Sequence, residues 1–337
     1  MAQFARRMRK LGRDPVAYLL DSRHGLLRGL GGWMYRRESA RFLAKGAAAA
    51  DVKITVIMTA YETGHLIEKA VRSVMAQSHE NLELMVIDDA STDNTLAVLE
   101  RLAKEDSRIR VFSSPTNHGT YWSKNWCLAR AEGAYVAFHD SDDYSALDRL
   151  QMQLGALLSL KDAVACTCRW QRVDAEGRRL VVDGAEERMA AISLMIEREA
   201  VLRQAGFFDT VRIAADTEFI KRLGQIFGSS GIKHMRQRLY TGLLREGSLT
   251  TAEGSGFDWA EDGDRRDRTV GGDRAAYYKA FTDWHLACDG EKPKLYMPFP
   301  AGKRRFDVPA AMLAGCDDPD VDQVREVGPC GGQGVKG

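Results

Sequence analysis

Leu84-Met85-Val86-Ile87-Asp88-Asp89 and Ala134-Tyr135-Val136-Ala137-Phe138-His139-Asp140-Ser141-Asp142-Asp143 are two apolar runs that each end in carboxylates. Such continuous runs suit strands covered on both faces, as in a parallel sheet, and ligands of open α/β sheets sit beyond the carboxyl ends of those strands. Carboxylates crowded there repel one another and need a counter-charge. A divalent cation carrying an anionic substrate supplies it. A nucleoside diphosphate with Mg2+ or Mn2+ fits that description.

The pattern around these runs repeats. Ile54-Thr55-Val56-Ile57-Met58 reads as a strand, and Leu66, Ile67, Ala70, Val71 and Val74 mark one helix face. Leu82 to Ile87 is the next strand. Thr92 or Asp93 caps a helix whose apolar face carries Leu96, Leu99 and Leu102. Ile109 to Phe112 is a third strand, Lys124 to Ala131 a helix ended by Gly133, and Tyr135 to Phe138 a fourth strand. This βαβ alternation predicts an α/β, doubly wound, mostly parallel sheet. Beyond Leu147 the expected elements are helices over 150–160, 198–204, 217–223 and 274–286. Strands are expected near 164–169 and 192–196, with a hairpin around Ala175-Glu176-Gly177. Residues 1–50 read as a basic helical extension ending in a linker, Gly46 to Ala50. Residues 253–314 read as a C-terminal extension, and the Gly- and Asp-rich residues 315–337 as a disordered tail.

The 337 residues, 45% apolar and 28% charged, suit one large soluble domain or two modest ones. A net charge of +1 argues against a nucleic-acid partner. The charge is nevertheless uneven, with eleven Lys or Arg against three Asp or Glu from Met1 to Lys45. The six cysteines are scattered, and Cys166-Thr167-Cys168 lacks the spacer usual in zinc sites, so they read as reduced structural thiols. No apolar run approaches the roughly 18–20 residues of a membrane span, and the basic start lacks a signal peptide's apolar stretch. The expectation is a cytoplasmic protein.

The ordered motifs resemble those of family 2 glycosyltransferases. They are Thr59-Ala60-Tyr61-Glu62, then Val86 to Asp93, Asn117-His118-Gly119, Lys124-Asn125, Ala131 to Phe138, Asp140 to Asp143 and Asp148-Arg149-Leu150. Gly206 to Asp209 and Ala215 to Phe219 follow. The resemblance runs from about Asp51 to Thr250. It implies a GT-A fold with a nucleotide-sugar half at 51–150 and an acceptor half at 151–252, and an inverting transfer of the kind that builds bacterial surface polysaccharide. Glu62, His139 and Ala215 depart from the family's usual residues, and the last leaves the base without an acidic neighbour before it.

The resemblance assigns the cluster Asp140 to Asp143 to the divalent metal and to the donor's ribose and diphosphate. Asp140 and Asp142 alternate along an extended segment and point the same way. Asp142 and Asp143 are the expected ligands of Mn2+ or Mg2+. Asp88 and Asp89 end the second strand, and Asp89 is the expected contact to the nucleoside, with a UDP-sugar as donor by family habit. Thr59 and Tyr61 end the first strand, and Tyr61 either packs along the nucleoside or is a core-edge residue. Lys124 pairs with the diphosphate or the acidic cluster, or lies on the surface. Asp216 is the expected general base, the alternative being a helix cap. Glu218 positions the acceptor or holds a cation such as Arg222. Arg245, in a loop with Ser248, closes over the donor.

The acceptor is a growing glycan or a lipid-linked sugar. The basic amino end, residues 1–45, either lies on an anionic inner-membrane surface or packs on the domain. A sugar nucleotidyltransferase would need a glycine-rich basic loop after the first strand, and Thr59 to Gly64 has one glycine and no basic residue. A dehydrogenase would need GxGxxG there. A non-catalytic carbohydrate-binding scaffold is disfavoured because the acidic clusters and Asp216 are intact.

Overall fold

The computed structural model describes residues 15–313, 315 and 321–328. Helices α1 (Pro15–Leu20) and α2 (Gly25–Ala47) lead in. There follow β1 (Ile54–Ala60), α3 (Ile67–Met75), β2 (Leu82–Asp88), α4 (Thr95–Glu105), β3 (Ile109–Ser113), α5 (Thr120–Leu128) and β4 (Tyr135–Asp140). The second half contains β5 (Tyr144–Ser145), α6 (Arg149–Leu158), β6 (Ala165–Val173), β7 (Val181–Val182), β8 (Glu187–Met189), β9 (Met195–Glu197) and α7 (Arg198–Gln204). The remainder is α8 (Ala215–Phe227), β10 (Ile232–Leu243), β11 (Phe257–Asp262), β12 (Arg265–Val270), α9 (Gly272–Ala287) and β13 (Arg325–Val327).

The main sheet runs β13-β3-β2-β1-β4-β9-β6-β10-β5, with β8 added on β6. Strands β3, β2, β1 and β4 are parallel. Every residue of β1 and β2 is buried, as continuous apolar runs between two helical layers require. The register sets Ala60 opposite Asp88 and Thr59 opposite Asp140. The strand ends that carry the acidic clusters therefore stand side by side. Strand order reverses at β1, where β2 lies on one side and β4 on the other, and an α/β sheet opens its ligand crevice at such a switch point. The mixed α/β class with a mostly parallel sheet is the expected one.

Several expectations change. Helix α4 starts at Thr95, not after Thr92 or Asp93. Asp93 instead accepts from Thr95 N at 2.9 Å and from Gly64 N at 3.0 Å, which joins two loops. Gly46 and Ala47 are not a linker but the end of α2, and Gly46 is buried against Gln151 of α6. The tail is not wholly without structure. Arg325–Val327 pair antiparallel with β3, whose edge would otherwise leave its amides and carbonyls unpaired, and Glu326 binds Arg110 at 2.9 Å. Residues 1–14 of the basic extension and residues 314, 316–320 and 329–337 of the tail lie outside the described residues. Cys127, Cys166, Cys168 and Cys288 are buried free thiols, while Cys316 and Cys330 fall outside the description.

The segment after Gly254 folds onto the domain. Strands β11 and β12 form a hairpin that adds β7 in a second, three-stranded sheet. Tyr277 and Phe281 of α9 are fully buried, and Tyr277 Oη donates to Asp209 at 3.0 Å. The hairpin and α9 together wall one side of the site.

Candidate active site

A cavity of about 830 Å³ lies beyond the carboxyl ends of β1, β2 and β4. Its lining includes Thr59, Tyr61, Asp89, Lys124, Asp140, Asp142, Asp143, Asp216 and Arg245, which the chain brings from six separate segments. Two expected site residues are not in the lining. Asp88 is buried behind it, with Ser91 N donating to its Oδ2 at 3.3 Å and its Oδ1 without a partner in the described structure. Glu218 is also absent, for the reason given below.

The end of the cavity at β1 and β2 is built on short contacts. Asp89 accepts from His118 N at 3.0 Å and Gly119 N at 2.7 Å, so this carboxylate shapes the 117–119 loop while it faces the cavity. Burial pushes its carboxyl up, and the two amides pull against that. Thr59 Oγ1 lies 2.7 Å from Thr120 Oγ1, and Tyr61 is half exposed over the opening. Glu62, in the left-handed region at φ 53°, accepts from Thr92 N at 2.7 Å and so locks the loop after β1 to the loop after β2.

The acidic cluster carries its own cations. Lys124 is buried, not a surface lysine, and its Nζ lies 3.3 Å from Asp140 Oδ1 and 5.3 Å from the Tyr121 ring centroid. Arg245 Nε donates to Asp142 Oδ2 at 2.8 Å. Asp143 is 2% exposed and accepts from Leu243 N at 2.8 Å. Burial and then the charge of Asp140 push the Asp142 carboxyl up against the pull of Arg245. Burial and the charges of Asp142 and Asp140 push Asp143 well above the usual carboxylate range. Arg172 is pushed down by burial although all three aspartates oppose the shift. Three carboxylates with one another as neighbours make a site that gains from added positive charge.

The fit to a divalent cation follows from the donor set. Among the described residues no three His, Cys, Asp or Glu side chains converge as a ready-made metal cage. Mg2+ and its like bind through one or two carboxylates and complete their shell with water and substrate phosphates. Asp140 and Asp142, both oxygen donors open to the cavity, meet that requirement. Asp143, also expected as a ligand, lines the same cavity, and its Oδ1 accepts from the Leu243 amide at 2.8 Å.

Asp216 lies in the first turn of α8. The N-cap is Ala214, in the left-handed region at φ 72°, so Asp216 is not the cap; its Oδ1 accepts from Thr217 N at 2.7 Å. Glu218, two residues on, is fully buried. It holds Arg222 at 2.7 Å and His285 at 3.0 Å, and so faces the protein interior and not an acceptor.

Sequence reasoning missed a whole wall. Arg188, Phe257, Trp259, Arg268 and Arg274 also line the cavity, and Arg172 of β6 lines it beside the three aspartates. Most sit on β11, β12 and α9, where periodicity fades, and no local pattern links them to β4. The alternating 257–262 and 265–270 segments around Gly263 were a readable hairpin signal.

Residues 55–212 match the family model Glycosyl transferase family 2. An uncharacterized glycosyltransferase of Haemophilus influenzae is 28% identical over 193 residues, 57% of this chain and 72% of that protein. The UDP-Glc:alpha-D-GlcNAc-diphosphoundecaprenol beta-1,3-glucosyltransferase WfgD of Escherichia coli is 38% identical over 109 residues, 32% of this chain and 42% of that protein. The crystal structure of S. aureus TarS 1-349 in complex with UDP-GlcNAc is 22% identical. It covers 60% of this chain and 61% of that chain at a TM-score of 0.48. The matched stretch thus spans less than half of WfgD and under two thirds of the TarS fragment.

Proposed function

We propose, from the match of residues 55–212 to the family 2 glycosyltransferase model, that this chain is an inverting GT-A glycosyltransferase. It moves a sugar from a nucleotide donor, a UDP-sugar, to a glycan or lipid-linked acceptor. The observation that carries this reading is the meeting of Asp140 and Asp142 with Asp216 in one cavity, from segments more than seventy residues apart. UDP as the carrier is supported by the donor in the name of the Escherichia coli relative.

Thr59, Tyr61 and Asp89 frame the nucleoside, and Asp88 supports Asp89 from behind. Asp140 and Asp142 would hold Mn2+ or Mg2+, which supplies positive charge against the diphosphate as it leaves. Lys124 and Arg245 add fixed positive charge beside the same carboxylates, and Arg245 sits on the loop that closes over the donor. Asp216 takes the proton of the acceptor hydroxyl as that oxygen bonds to the anomeric carbon. The bond from that carbon to the diphosphate oxygen breaks on the opposite face, and its electron pair leaves with the nucleoside diphosphate. One carboxylate base suffices, because the leaving group needs charge compensation and not a proton. Residues 1–45 bring the enzyme to the inner face of the membrane.

Incubation with a panel of nucleotide sugars and Mn2+, with nucleotide release as readout, tests this reading. UDP-sugars should respond. Silence for every donor, with and without acceptor glycans, would overturn it. Asp216→Asn should lower transfer by about 10²–10⁴-fold and leave donor affinity nearly unchanged; loss of donor binding instead would remove Asp216 from the role of base.

A further inference from the structure

The two sides of the cavity differ in charge balance. On the donor side Asp140, Asp142 and Asp143 stand with Lys124, Arg245 and Arg172, three of each sign. On the side built by the β7–β8 segment, the β11–β12 hairpin and the start of α9, Arg188, Arg268 and Arg274 have a single carboxylate among them, Asp183. Asp183 accepts from Arg268 N and Arg268 Nε, each at 2.9 Å, and from Arg188 Nη1. Burial opposes its ionisation, yet these bonds hold its carboxyl below the usual value. Arg274 donates to the Ser255 carbonyl at 2.7 Å and bonds to no carboxylate among the described residues.

The guanidinium groups of Arg268 and Arg274 lie 4.8 and 4.0 Å from the Phe257 ring centroid, which fixes them in place. The bonds of Arg268 to Asp183 use its backbone N and Nε, so its two terminal nitrogens still carry N–H groups to offer. Trp259 Nε1 donates to the Thr250 carbonyl at 2.8 Å and ties this wall to the loop that carries Arg245. The lining also carries exposed apolar side chains, on β8, on β12 and in the loop of Arg245. Met189, Leu249 and Val270 all line the cavity and are 46%, 52% and 41% exposed. Exposed apolar side chains in one cavity with positive charge in excess suit an amphiphile with an anionic head.

We propose that Arg188 and Arg268, with Arg274 beside them, bind the phosphate or diphosphate of a lipid-linked acceptor sugar, whose hydrocarbon chain leaves over Met189, Leu249 and Val270. This rests on the sugar-transfer reading above and adds the acceptor's class to it. Guanidinium forks match phosphate oxygens in pairs, and a phosphate draws on more than one of them. A neutral glycan would leave the excess positive charge of this wall uncompensated.

The test compares acceptors of the full chain under a donor that it hydrolyses. The acceptors are monosaccharide diphosphate esters of a long-chain alcohol, the phosphate-free alkyl glycosides of the same sugars, and soluble glycans ending in a uronate. Acceptor-independent release of nucleotide reports on the donor reading separately; its absence for every donor would sink that reading and this one with it, whereas release without the acceptor preference below would sink this one alone. The expected result is a kcat/KM at least about tenfold higher for the diphosphate-linked lipid than for its phosphate-free counterpart. Arg268→Gln should raise KM for the diphosphate acceptor about tenfold relative to KM for the alkyl glycoside, and Arg268→Lys should recover part of it. A folding defect would move both KM values together, so the ratio is the readout. Equal efficiency with and without phosphate, preference for the uronate, or an unchanged KM ratio in Arg268→Gln would overturn the proposal.

Discussion

Asp216 and Glu218 stand two residues apart on α8 and meet opposite surroundings. Asp216 lines the cavity, while Glu218 is sealed between Arg222 and His285. Burial pushes the Glu218 carboxyl up, but Arg222 and His285 outweigh it and hold it below its ordinary value of 4.5. A folded-state value below the unfolded one means stability that is present above pH 4.5 and lost as pH falls through the folded value. Glu218→Gln should therefore destabilise the protein by about 3–5 kcal/mol at neutral pH, because Arg222 is left buried without its partner. In urea titrations the gap to the wild type should stay constant above about pH 5 and close on acidification below that. A gap that widened in acid would reverse the sign assigned to this group. The sequence presents both residues as acids in one helical turn. Which of them faces the cavity depends on α9, about seventy residues away, because His285 is what closes over Glu218.

At the scale of elements, α2 and α6 cross at two glycines. A Cβ on Gly155 would run into the Phe42 carbonyl, and one on Gly46 into the Gln151 carbonyl. The helices approach this closely because neither glycine presents a side chain. Glu38 adds ion pairs from α2 to Lys233 at 2.9 Å and Arg236 at 2.7 Å on β10. Gly155→Ala should cost about 1–3 kcal/mol, the price of overpacking a tight contact, and thermal unfolding followed by circular dichroism would read it. An unchanged midpoint would show that α2 is not held at this crossing. Gly46 looked like part of a linker because glycine and alanine runs carry no sign of their packing partner. The central strands were readable for the opposite reason. Their burial on both faces is written as unbroken apolar runs, so Ile54 to Met58 and Leu82 to Ile87 declare themselves locally.

For the whole molecule, no helix among the described residues is long and apolar enough to cross a membrane. The amino end offers a different contact. Leu26 is 91% exposed, and Leu27, Leu30 and Trp33 are exposed with it, near the exposed Arg23, Arg28, Arg36 and Arg37. Leu26, Leu30 and Trp33 recur at helical spacing on one face of α2, apolar beside basic, the pattern of a helix lying on an anionic bilayer surface. The protein should sediment with vesicles rich in anionic lipid, less so as salt rises. Replacing Leu26, Leu30 and Trp33 by Ser should release it. Equal sedimentation of the triple variant would remove this helix from membrane binding.

Local order carried the sheet, the strand ends and the acidic clusters on them. Buried parallel strands and the turns that follow them are each specified within about ten residues of chain. The strand-end side of the cavity was legible for that reason, down to Asp89, Asp140 and Asp142. The far wall was not, because Arg188, Arg268 and Arg274 face the cavity only after β8, β12 and α9 have come together. Nor could the pattern of acids separate Asp216 from Glu218, or Asp142 from Asp143. Those distinctions come from burial and from partners distant in sequence, His285 for one and the Leu243 amide for the other, and both are set only when the chain has folded.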